Sequence, residues 1–253
     1  MVRNPLYALY ERRLWRQIKD GPHPQHIGII MDGNRRFARK IGLPSHFGHK
    51  YGVRKLKEVL RWCWELNVDI VTLYTFSLDN FGRSDLEIKT IMDLACENFR
   101  KLAKETEIHD KRVRIRAIGR RDSLPEDLQE AIRFAEEATS QYSDRTIQIA
   151  IGYGGREEIV DAVRKIVQLS RDDGLLLEDI DEDFVASFLY TNGTPDPCLV
   201  IRTSGEERLS GFMLWQTAYS ELVFMDVFWP IMRKIDLWRA IRIYQQRDRR
   251  HGR

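Results

Sequence analysis

Residues 26–40 read HIGIIMDGNRRFARK. An apolar run from Ile27 to Met31 ends at Asp32, and Gly33 follows at once. A short apolar run that ends in a glycine turn is typical of a buried strand, and the basic residues after the turn are typical of a helix. This stretch therefore predicts a buried strand that delivers a carboxylate into a tight turn, followed by a basic helix.

The alternation between strand and helix patterns continues along all 253 residues. Strand patterns cover His26–Asp32, Asp69–Phe76, Val113–Ile118, Thr146–Tyr153, Leu199–Thr203 and Glu221–Val227, and helical patterns cover Gly48–Leu66, Leu86–Thr106, Pro125–Gln141, Arg156–Ser170, Glu182–Tyr190 and Lys234–Gln246. This alternation is the signature of βαβ units. We predict a single α/β domain with a mostly parallel six-stranded sheet flanked by helices.

Composition excludes several classes of protein. The 41 Lys and Arg residues nearly balance 38 Asp and Glu residues, and the resulting net charge of +3 argues against a nucleic-acid-binding protein. The three cysteines have no disulfide or metal-ligand spacing, so we expect a reducing, cytoplasmic location. We expect no signal peptide, and no apolar run approaches the roughly 20 residues of a membrane-spanning helix.

The N-terminal segment has its own helical pattern. In LYALYERRLWRQIK, apolar side chains from Leu6 to Ile18 recur at helical spacing on one face. We expect this helix to pack on its own domain or on a partner subunit, and a membrane-surface contact is the alternative. We treat residues 1–25 as a helical extension and residues 26–253 as the main domain.

Polar clusters follow three of the predicted strands, at residues 32–36, 77–83 and 202–210. Ligands of parallel sheets bind outside the carboxyl ends of the strands, so these clusters predict one composite active site. In the third cluster, Arg202 and Arg208 bracket a Ser-Gly turn and provide planar donors that suit phosphate. Two separate basic clusters indicate two anionic substrates, and therefore a transfer reaction between them.

Asp32 has two interpretations, a helix N-cap or a metal ligand beside a phosphate site. The second is favoured because amide and cationic side chains crowd the same turn, namely Asn34, Arg35, Arg36, Arg39 and Lys40. Guanidinium groups, open backbone N–H groups and one carboxylate are what a magnesium-bridged diphosphate requires. A phosphohydrolase of the haloacid dehalogenase type is excluded, because Ile30 stands where its nucleophilic aspartate would be.

The second cluster, FSLDNFGRSDLE, has a structural interpretation as well. Ser84 or Asp85 would cap the following helix, and Glu87 would complete a capping box with Ser84. Capping leaves Asn80 and Arg83 unexplained.

Five segments in order, HIGIIMDGNRR, GHKYG, TLYTFSLDNFGR, YGGR and IRTSGEERLSGFMLWQTAYSELVF, resemble the successive motifs of the cis-prenyltransferases. This is the undecaprenyl and dehydrodolichyl diphosphate synthase family. The resemblance covers about residues 26–253. It implies an enzyme that uses Mg²⁺ to join an allylic prenyl diphosphate to isopentenyl diphosphate with a new Z double bond. It also implies a hydrophobic product tunnel, a homodimer and a transient membrane-surface contact. Nucleic acid is not expected as a partner.

The resemblance implies site residues at matching positions. Asp32 and Asn80 would be catalytic, and Asp32 and Glu221 would be associated with Mg²⁺. The residues implied for the allylic diphosphate are Gly33, Asn34, Arg35, Arg36, Arg39, His49, Ser77 and Arg83. Those implied for isopentenyl diphosphate are Arg202, Arg208, Ser210, Arg250 and Gly252, the last two in a C-terminal Arg-x-Gly that reaches the site across a dimer interface.

Some positions depart from the family pattern. Phe81 and Gly82 replace residues that are commonly bulkier in the second cluster, and Gly211 replaces the usual asparagine after Ser210. The altered loop motivates an alternative, in which dimethylallyl diphosphate is the acceptor in a single or non-head-to-tail condensation. A non-catalytic partner subunit is a second alternative, which the retained Asp32 and basic residues disfavour.

Overall fold

The computed structural model describes residues 5–173 and 175–247. The strands are β1 (His26–Ile30), β2 (Ile70–Ser77), β3 (Val113–Ile118), β4 (Arg145–Tyr153), β5 (Leu199–Thr203) and β6 (Glu221–Met225). The α-helices are α1 (Pro5–Ile18), α2 (Asn34–Lys40), α3 (Phe47–Glu65), α4 (Asp85–Leu102), α5 (Thr106–Asp110), α6 (Glu126–Thr139), α7 (Gly155–Asp173), α8 (Glu182–Ser187) and α9 (Lys234–Gln246). Short 3₁₀ turns cover Leu78–Gly82, Arg121–Ser123, Leu177–Asp179 and Trp229–Ile231.

The six strands form one sheet in the order β3-β4-β2-β1-β5-β6, and every neighbouring pair is parallel. All five residues of β1 are buried, as expected for a central strand with helices on both faces. The prediction of a single α/β domain with a six-stranded parallel sheet is confirmed. The first strand ends two residues earlier than predicted, because the Asp32 N–H donates to the Ile30 carbonyl and starts the turn.

Helix α1 packs on α9. Leu14 and Ile18 are buried in the main core, and the rings of Trp15 and Trp238 lie 5.1 Å apart. These contacts agree with the expectation that this helix packs on its own domain, whereas Leu6 near its start is exposed. The division of the chain at residue 26 stays a prediction. Among the residues that the structure describes, no helix is both long and apolar enough to cross a bilayer.

The GHKYG motif brings α3 close to the start of α2. A Cβ on Gly48 would lie 2.0 Å from the backbone oxygen of Asn34, and a Cβ on Gly52 would lie 2.3 Å from its Oδ1. The Gly52 carbonyl also accepts a hydrogen bond of 2.9 Å from the Trp229 indole. Glycine at both positions therefore lets two basic helices pack side by side next to the end of β1.

His26 begins β1 and is fully buried. Its Nδ1 donates to the Pro195 carbonyl at 2.6 Å, and its Nε2 lies 2.7 Å from the Thr72 hydroxyl. These contacts tie the start of β1 to β2 and to the loop before β5. Burial lowers the pKa of His26 from its ordinary 6.5 to about 4.

We predict that acid destabilises the fold through His26. The unfolded chain binds a proton near pH 6.5 and the folded chain only near pH 4, so stability falls as the pH drops through this window. The full shift corresponds to roughly 3 kcal/mol. The measurement is the free energy of urea unfolding at pH 7.5 and at pH 5 for wild type and for His26→Gln, with His46→Gln before α3 as the control. The difference between the two pH values should shrink only in His26→Gln, and an equal difference in all three proteins would contradict this account.

Candidate active site

A polar pocket of about 570 Å³ lies at the carboxyl ends of β1, β2 and β5. The structure brings together thirteen of the sixteen residues singled out above, and all thirteen line this pocket: Asp32, Gly33, Asn34, Arg35, Arg36, Arg39, His49, Ser77, Asn80, Arg83, Arg202, Arg208 and Ser210. Because parallel strands end at the same edge of the sheet, three polar clusters that are distant in the chain meet here.

Asp32 lies between the two basic clusters. Its Oδ1 accepts the N–H of Gly33 at 2.6 Å. Its Oδ2 lies 2.9 Å from a terminal nitrogen of Arg202 and 3.7 Å from one of Arg36. Gly33 has a φ of 99°, and a Cβ there would lie 2.8 Å from the Phe228 ring. The turn therefore needs glycine in order to aim the carboxylate into the pocket.

Arg202 is the most buried cation of the pocket, with 5% of its side chain exposed. It donates to the Ser210 hydroxyl at 2.8 Å and to the Arg208 carbonyl. Its Nε–H is buried and has no hydrogen-bond partner among the described residues. A buried guanidinium with a free N–H is suited to an anionic ligand.

The loop that carries Arg208 and Ser210 is fixed by hydrogen bonds from the YGGR segment and from Tyr74 of β2. The Gly155 N–H donates to the Gly211 carbonyl at 2.8 Å, and the Tyr74 hydroxyl donates to the Ser210 carbonyl at 3.1 Å. Ser210 itself has a φ of 50°, which is uncommon for a residue other than glycine. These two hydrogen bonds secure a strained loop conformation, so YGGR contributes to the site without lining it.

Glu87 is a residue that the sequence interpretation assigned to the wrong role. Its carboxylate does not complete a capping box with Ser84, whose side chain makes no capping hydrogen bond. Instead it is buried and accepts from Arg83 at 2.9 Å and from His49 at 3.3 Å. Arg35 lies 3.7 Å away. One carboxylate therefore gathers three pocket residues from three segments of the chain.

The surroundings of Glu87 affect the charge of His49. Burial lowers the pKa of His49, and the contact with Glu87 opposes this effect only in part. His49 is therefore neutral at pH 7, and its Nε2–H donates to the carboxylate. Its Nδ1 is left as an acceptor.

The capping box of the second cluster lies seven residues earlier than predicted. Ser77 and Asn80 form it, and the Ser77 N–H donates to the Asn80 Oδ1 at 3.2 Å. The box fixes the 3₁₀ turn Leu78–Gly82, on which the ring of Phe81 packs edge-on against Phe76. Asn80 thus has a structural role as well as a position in the pocket.

Glu206 was also not identified as a site residue from the sequence. It lies 3.2 Å from Arg36 and pairs with Arg208, so one carboxylate contacts a guanidinium from each basic cluster. Its position beside Arg208 in the chain made it resemble an ordinary surface charge. Only the approach of Arg36, 170 residues earlier in sequence, reveals its place in the pocket.

A smaller apolar cavity of about 130 Å³ adjoins the polar pocket. Residues of α3, α4, β2 and β4 form its walls, including Leu56, Leu73 and Phe99. The two spaces share the lining residues Met31, Asn34, His49, Tyr74 and Thr75. The site as a whole therefore suits a molecule with an anionic head and an apolar tail.

The structure does not bring Glu221 to this pocket. The register places Glu221 beside Leu199 at the amino end of β6 and places Leu199 beside Ile27, five residues before Asp32. At about 3.3 Å per residue, Glu221 and Asp32 are separated by roughly 16 Å along the sheet. Asp32 and Glu221 of one chain are therefore too far apart to share one magnesium ion, and the association of Glu221 with Mg²⁺ stays a prediction. Arg250 and Gly252 lie outside the described residues.

The donor set of the pocket fits a magnesium ion that arrives with a phosphate ligand. No group of three His, Cys, Asp or Glu side chains with metal-binding geometry occurs within residues 5–173 and 175–247. Magnesium commonly uses one or two carboxylates together with substrate phosphates and water. Asp32 provides one such carboxylate beside cations that would hold the phosphates.

Comparisons with known proteins agree with this geometry. The family described as putative undecaprenyl diphosphate synthase matches residues 30–252. A tritrans,polycis-undecaprenyl-diphosphate synthase (geranylgeranyl-diphosphate specific) of Methanopyrus kandleri is 51% identical over 98% of this chain and 92% of its own length. An isoprenyl transferase of Thermus thermophilus is 49% identical over 98% of this chain and 96% of its own length.

Solved structures resemble the fold closely. Lavandulyl diphosphate synthase from Lavandula x intermedia, in complex with dimethylallyl diphosphate, has a TM-score of 0.85 and 34% identity, covering 91% of this chain and 99% of that one. A probable undecaprenyl diphosphate synthase from Campylobacter jejuni has a TM-score of 0.75 and 28% identity, covering 92% of this chain and 100% of that one. The pocket, the cavity and these likenesses together show that the chain is an enzyme of the undecaprenyl diphosphate synthase family, the cis-prenyltransferases.

Proposed function

We propose that this enzyme condenses an allylic prenyl diphosphate with isopentenyl diphosphate to form a longer Z-prenyl diphosphate. The observation that carries the proposal is the placement of Asp32 between two arginine clusters in a pocket that opens onto an apolar cavity. Two diphosphates and one hydrocarbon chain match these three compartments. One relative is named a tritrans,polycis-undecaprenyl-diphosphate synthase and another an isoprenyl transferase. These names support repeated addition of five-carbon units.

In this mechanism, the first cluster, which follows β1 and continues into α2, binds the diphosphate that leaves. The C1–O bond of the allylic substrate breaks, and its electron pair departs with the diphosphate. Arg36 and Arg39 lie on the pocket wall where they stabilise this developing negative charge. His49 lies on the same wall and is held there by its hydrogen bond to Glu87.

The third cluster, at residues 202–210 at the end of β5, binds the second substrate. Arg202, Arg208 and Ser210 hold isopentenyl diphosphate so that its C4 faces the allylic C1. The C3–C4 double bond attacks C1, a new carbon–carbon bond forms, and a proton leaves C2 as the Z double bond appears. Asn80 and Arg83 line the same pocket, and we assign them to positioning the departing proton near diphosphate oxygens.

Asp32 would hold Mg²⁺ against the diphosphate oxygens, and the ion would supply further neutralisation of the leaving group. We place the enzyme in the cytoplasm as part of this proposal, in accord with its three free cysteines.

The apolar cavity is proposed as the beginning of a product tunnel. A cavity of about 150 Å³ holds one benzene molecule, so about 130 Å³ accommodates roughly one isoprene unit. A longer product requires α3 and α4, which form two of the walls, to separate as the chain grows. The names of the archaeal relatives support geranylgeranyl diphosphate as the donor.

Dimethylallyl diphosphate as the acceptor is not favoured. The lavandulyl diphosphate synthase is 34% identical to this chain, whereas the polycis-undecaprenyl synthases and isoprenyl transferases reach 46–51%. The second cluster also keeps an ordered turn despite Phe81 and Gly82. A purely structural partner subunit is equally disfavoured, since the basic pocket is complete around Asp32.

A homodimer is part of the proposal. Glu221 lies at the amino end of the edge strand β6, so a two-fold axis beside β6 would turn this end toward the carboxyl edge of the second sheet. Glu221 of one copy would then lie on the same edge of the assembly as Asp32 of the other. Exposed Val160, Val163 and Val167 on α7 also favour burial against a partner.

Mixing two inactive variants tests this shared site. If each site combines Asp32 of one chain with Glu221 of the other, chains carrying Asp32→Ala and chains carrying Glu221→Ala restore one intact site in every mixed dimer. After random exchange of subunits, about a quarter of wild-type activity should return. Activity of the mixture no higher than the mean of the two separate variants would place both residues in one site of one chain.

A product assay tests the proposed reaction. With Mg²⁺, geranylgeranyl diphosphate and labelled isopentenyl diphosphate, we expect a ladder of products after dephosphorylation. Asp32→Asn keeps the size of the side chain and the hydrogen bond from Gly33 but removes the charge, so turnover should fall at least about a thousandfold. Asp93→Asn, on the exposed face of α4, is the matched control and should retain full activity. Incorporation of dimethylallyl diphosphate alone would refute the proposal.

Glu87 is predicted to act as a positioning residue. Glu87→Gln keeps the side-chain shape but removes the charge that gathers Arg83, His49 and Arg35, so kcat/KM for the allylic substrate should fall at least about tenfold. Most of the effect should appear in KM, because Arg35 and Arg83 would bind a ground-state diphosphate.

The control for this prediction is Glu97→Gln on the same helix, where the carboxylate pairs with exposed Lys101. Steady-state kinetics of both variants, together with their melting temperatures, separates positioning from loss of fold. Unchanged KM in Glu87→Gln would show that the three partners hold their positions without it.

A further inference from the structure

The charge of this protein is unevenly distributed along the chain. Residues 33–57 contain eight Lys and Arg residues and no Asp or Glu, although the whole chain has a net charge of only +3. The eight cations are Arg35, Arg36, Arg39, Lys40, Lys50, Arg54, Lys55 and Lys57. The rest of the chain is therefore net acidic, and residues 33–57, which include α2 and the first half of α3, carry a concentrated positive charge.

Only some of these cations face the active-site pocket. Arg35, Arg36 and Arg39 line it, whereas Lys50 and Arg54 do not line it and are exposed. Lys55 and Lys57 form ion pairs with glutamates. The proposed catalytic chemistry therefore leaves Lys50 and Arg54 without a role.

Large apolar side chains are exposed among the outward cations. Ile41, Phe47 and Tyr51 have 46%, 37% and 36% of their surface exposed. We call the surface formed by Ile41, Phe47, Lys50, Tyr51 and Arg54 the outer face. Exposed aromatic and aliphatic side chains interspersed with cations are typical of segments that bind at a membrane surface.

The outer face is a continuous stripe. Residues 47, 50, 51 and 54 lie on one side of α3 at helical spacing. The Lys50 ammonium lies 5.5 Å from the Phe47 ring, and the Arg54 guanidinium lies 5.8 Å from the Tyr51 ring. Tyr51 also packs edge-on against Phe37 of α2, at 5.4 Å between centroids, which ties the stripe to the second helix.

We propose that the outer face binds the surface of an anionic phospholipid bilayer. Lys50 and Arg54 would contact lipid phosphates, while Phe47, Tyr51 and Ile41 would enter the headgroup layer. This inference rests on the proposed function, because the substrate and product of a polyprenyl transfer carry long hydrocarbon chains. Since α2 and α3 also line the pocket and the cavity, a membrane on their outer face would lie beside the site where such a chain enters or leaves.

The charge of the outer face argues against a second copy of the chain as its partner. A two-fold contact would place the same surface on both sides and oppose cations to cations. An anionic lipid surface is complementary to both the charge and the exposed rings. Binding would place α2 and α3 on the membrane surface through side chains alone.

Vesicle flotation tests the proposal with the full chain. Wild type should float with vesicles of equal parts phosphatidylglycerol and phosphatidylcholine and should remain behind with phosphatidylcholine alone. The double variant Phe47→Ala with Lys50→Glu should lose at least about tenfold in partition coefficient, because it removes an inserted ring and reverses a contacting charge. A second double variant, Tyr51→Ala with Arg54→Glu, should give a similar loss.

The chain provides a matched control. Phe134 on α6 is 43% exposed, and the Lys104 ammonium lies 5.8 Å from its ring, so Phe134→Ala with Lys104→Glu makes the same chemical change elsewhere. This variant should float within about twofold of wild type. Absence of wild-type flotation, equal flotation with neutral vesicles, or an equal loss in the control would overturn the proposal.

Two further measurements distinguish lipid binding from misfolding and from subunit contact. Melting temperature and sedimentation of each variant report on fold and oligomeric state, and dissociation of a dimer by the outer-face variants would assign this surface to protein contact and overturn the proposal. Prenyl transfer in detergent should be unchanged in the outer-face variants. Absence of prenyl transfer in wild type would refute the proposed function. The flotation results would still decide whether the outer face binds anionic membranes.

Discussion

The ion pair between Asp32 and Arg202 is the interaction on which the rest of the active site depends. Arg202 is buried, and a buried guanidinium is tolerated only when its N–H groups are paired. Asp32 pairs with one of them, while Ser210 and the Arg208 carbonyl accept from another. The pair therefore joins the turn after β1 to the loop after β5. It fixes how far apart the two basic clusters lie, while the buried Arg202 Nε–H has no partner among the described residues.

Helix α3 faces three different environments, namely the polar pocket, the apolar cavity and solvent. His49 faces the polar pocket, Val53 and Leu56 face the apolar cavity, and Phe47 faces solvent. Its close approach to α2 depends on the two glycines of GHKYG, since any side chain there would collide with Asn34. The five residues of GHKYG thus contribute to the polar pocket through His49, to the apolar cavity through Gly52 and to the outer face through Lys50 and Tyr51.

Much of this arrangement could be predicted from local sequence. Apolar β-branched runs predicted all six strands, because a strand buried on both faces has few polar positions. The carboxyl-end rule then placed Asp32, Arg83 and Arg202 in one pocket. The break between α4 and α5 was missed, since residues 86–106 continue one helical pattern although α4 ends at Leu102. Glu87 and Glu206 were missed because a carboxylate next to cations in sequence resembles a cap or a surface charge.

The sequence by itself determined the fold class, the positions of the three polar clusters and the residue types that a diphosphate needs. These features depend on periodicity and turn chemistry, which act within a few residues. The tertiary structure alone decided that Glu87 gathers Arg35, His49 and Arg83, and that Glu221 lies about 16 Å along the sheet from Asp32. Such relations depend on strand order, register and helix packing, which bring together residues distant in the chain, and no local pattern encodes those distances.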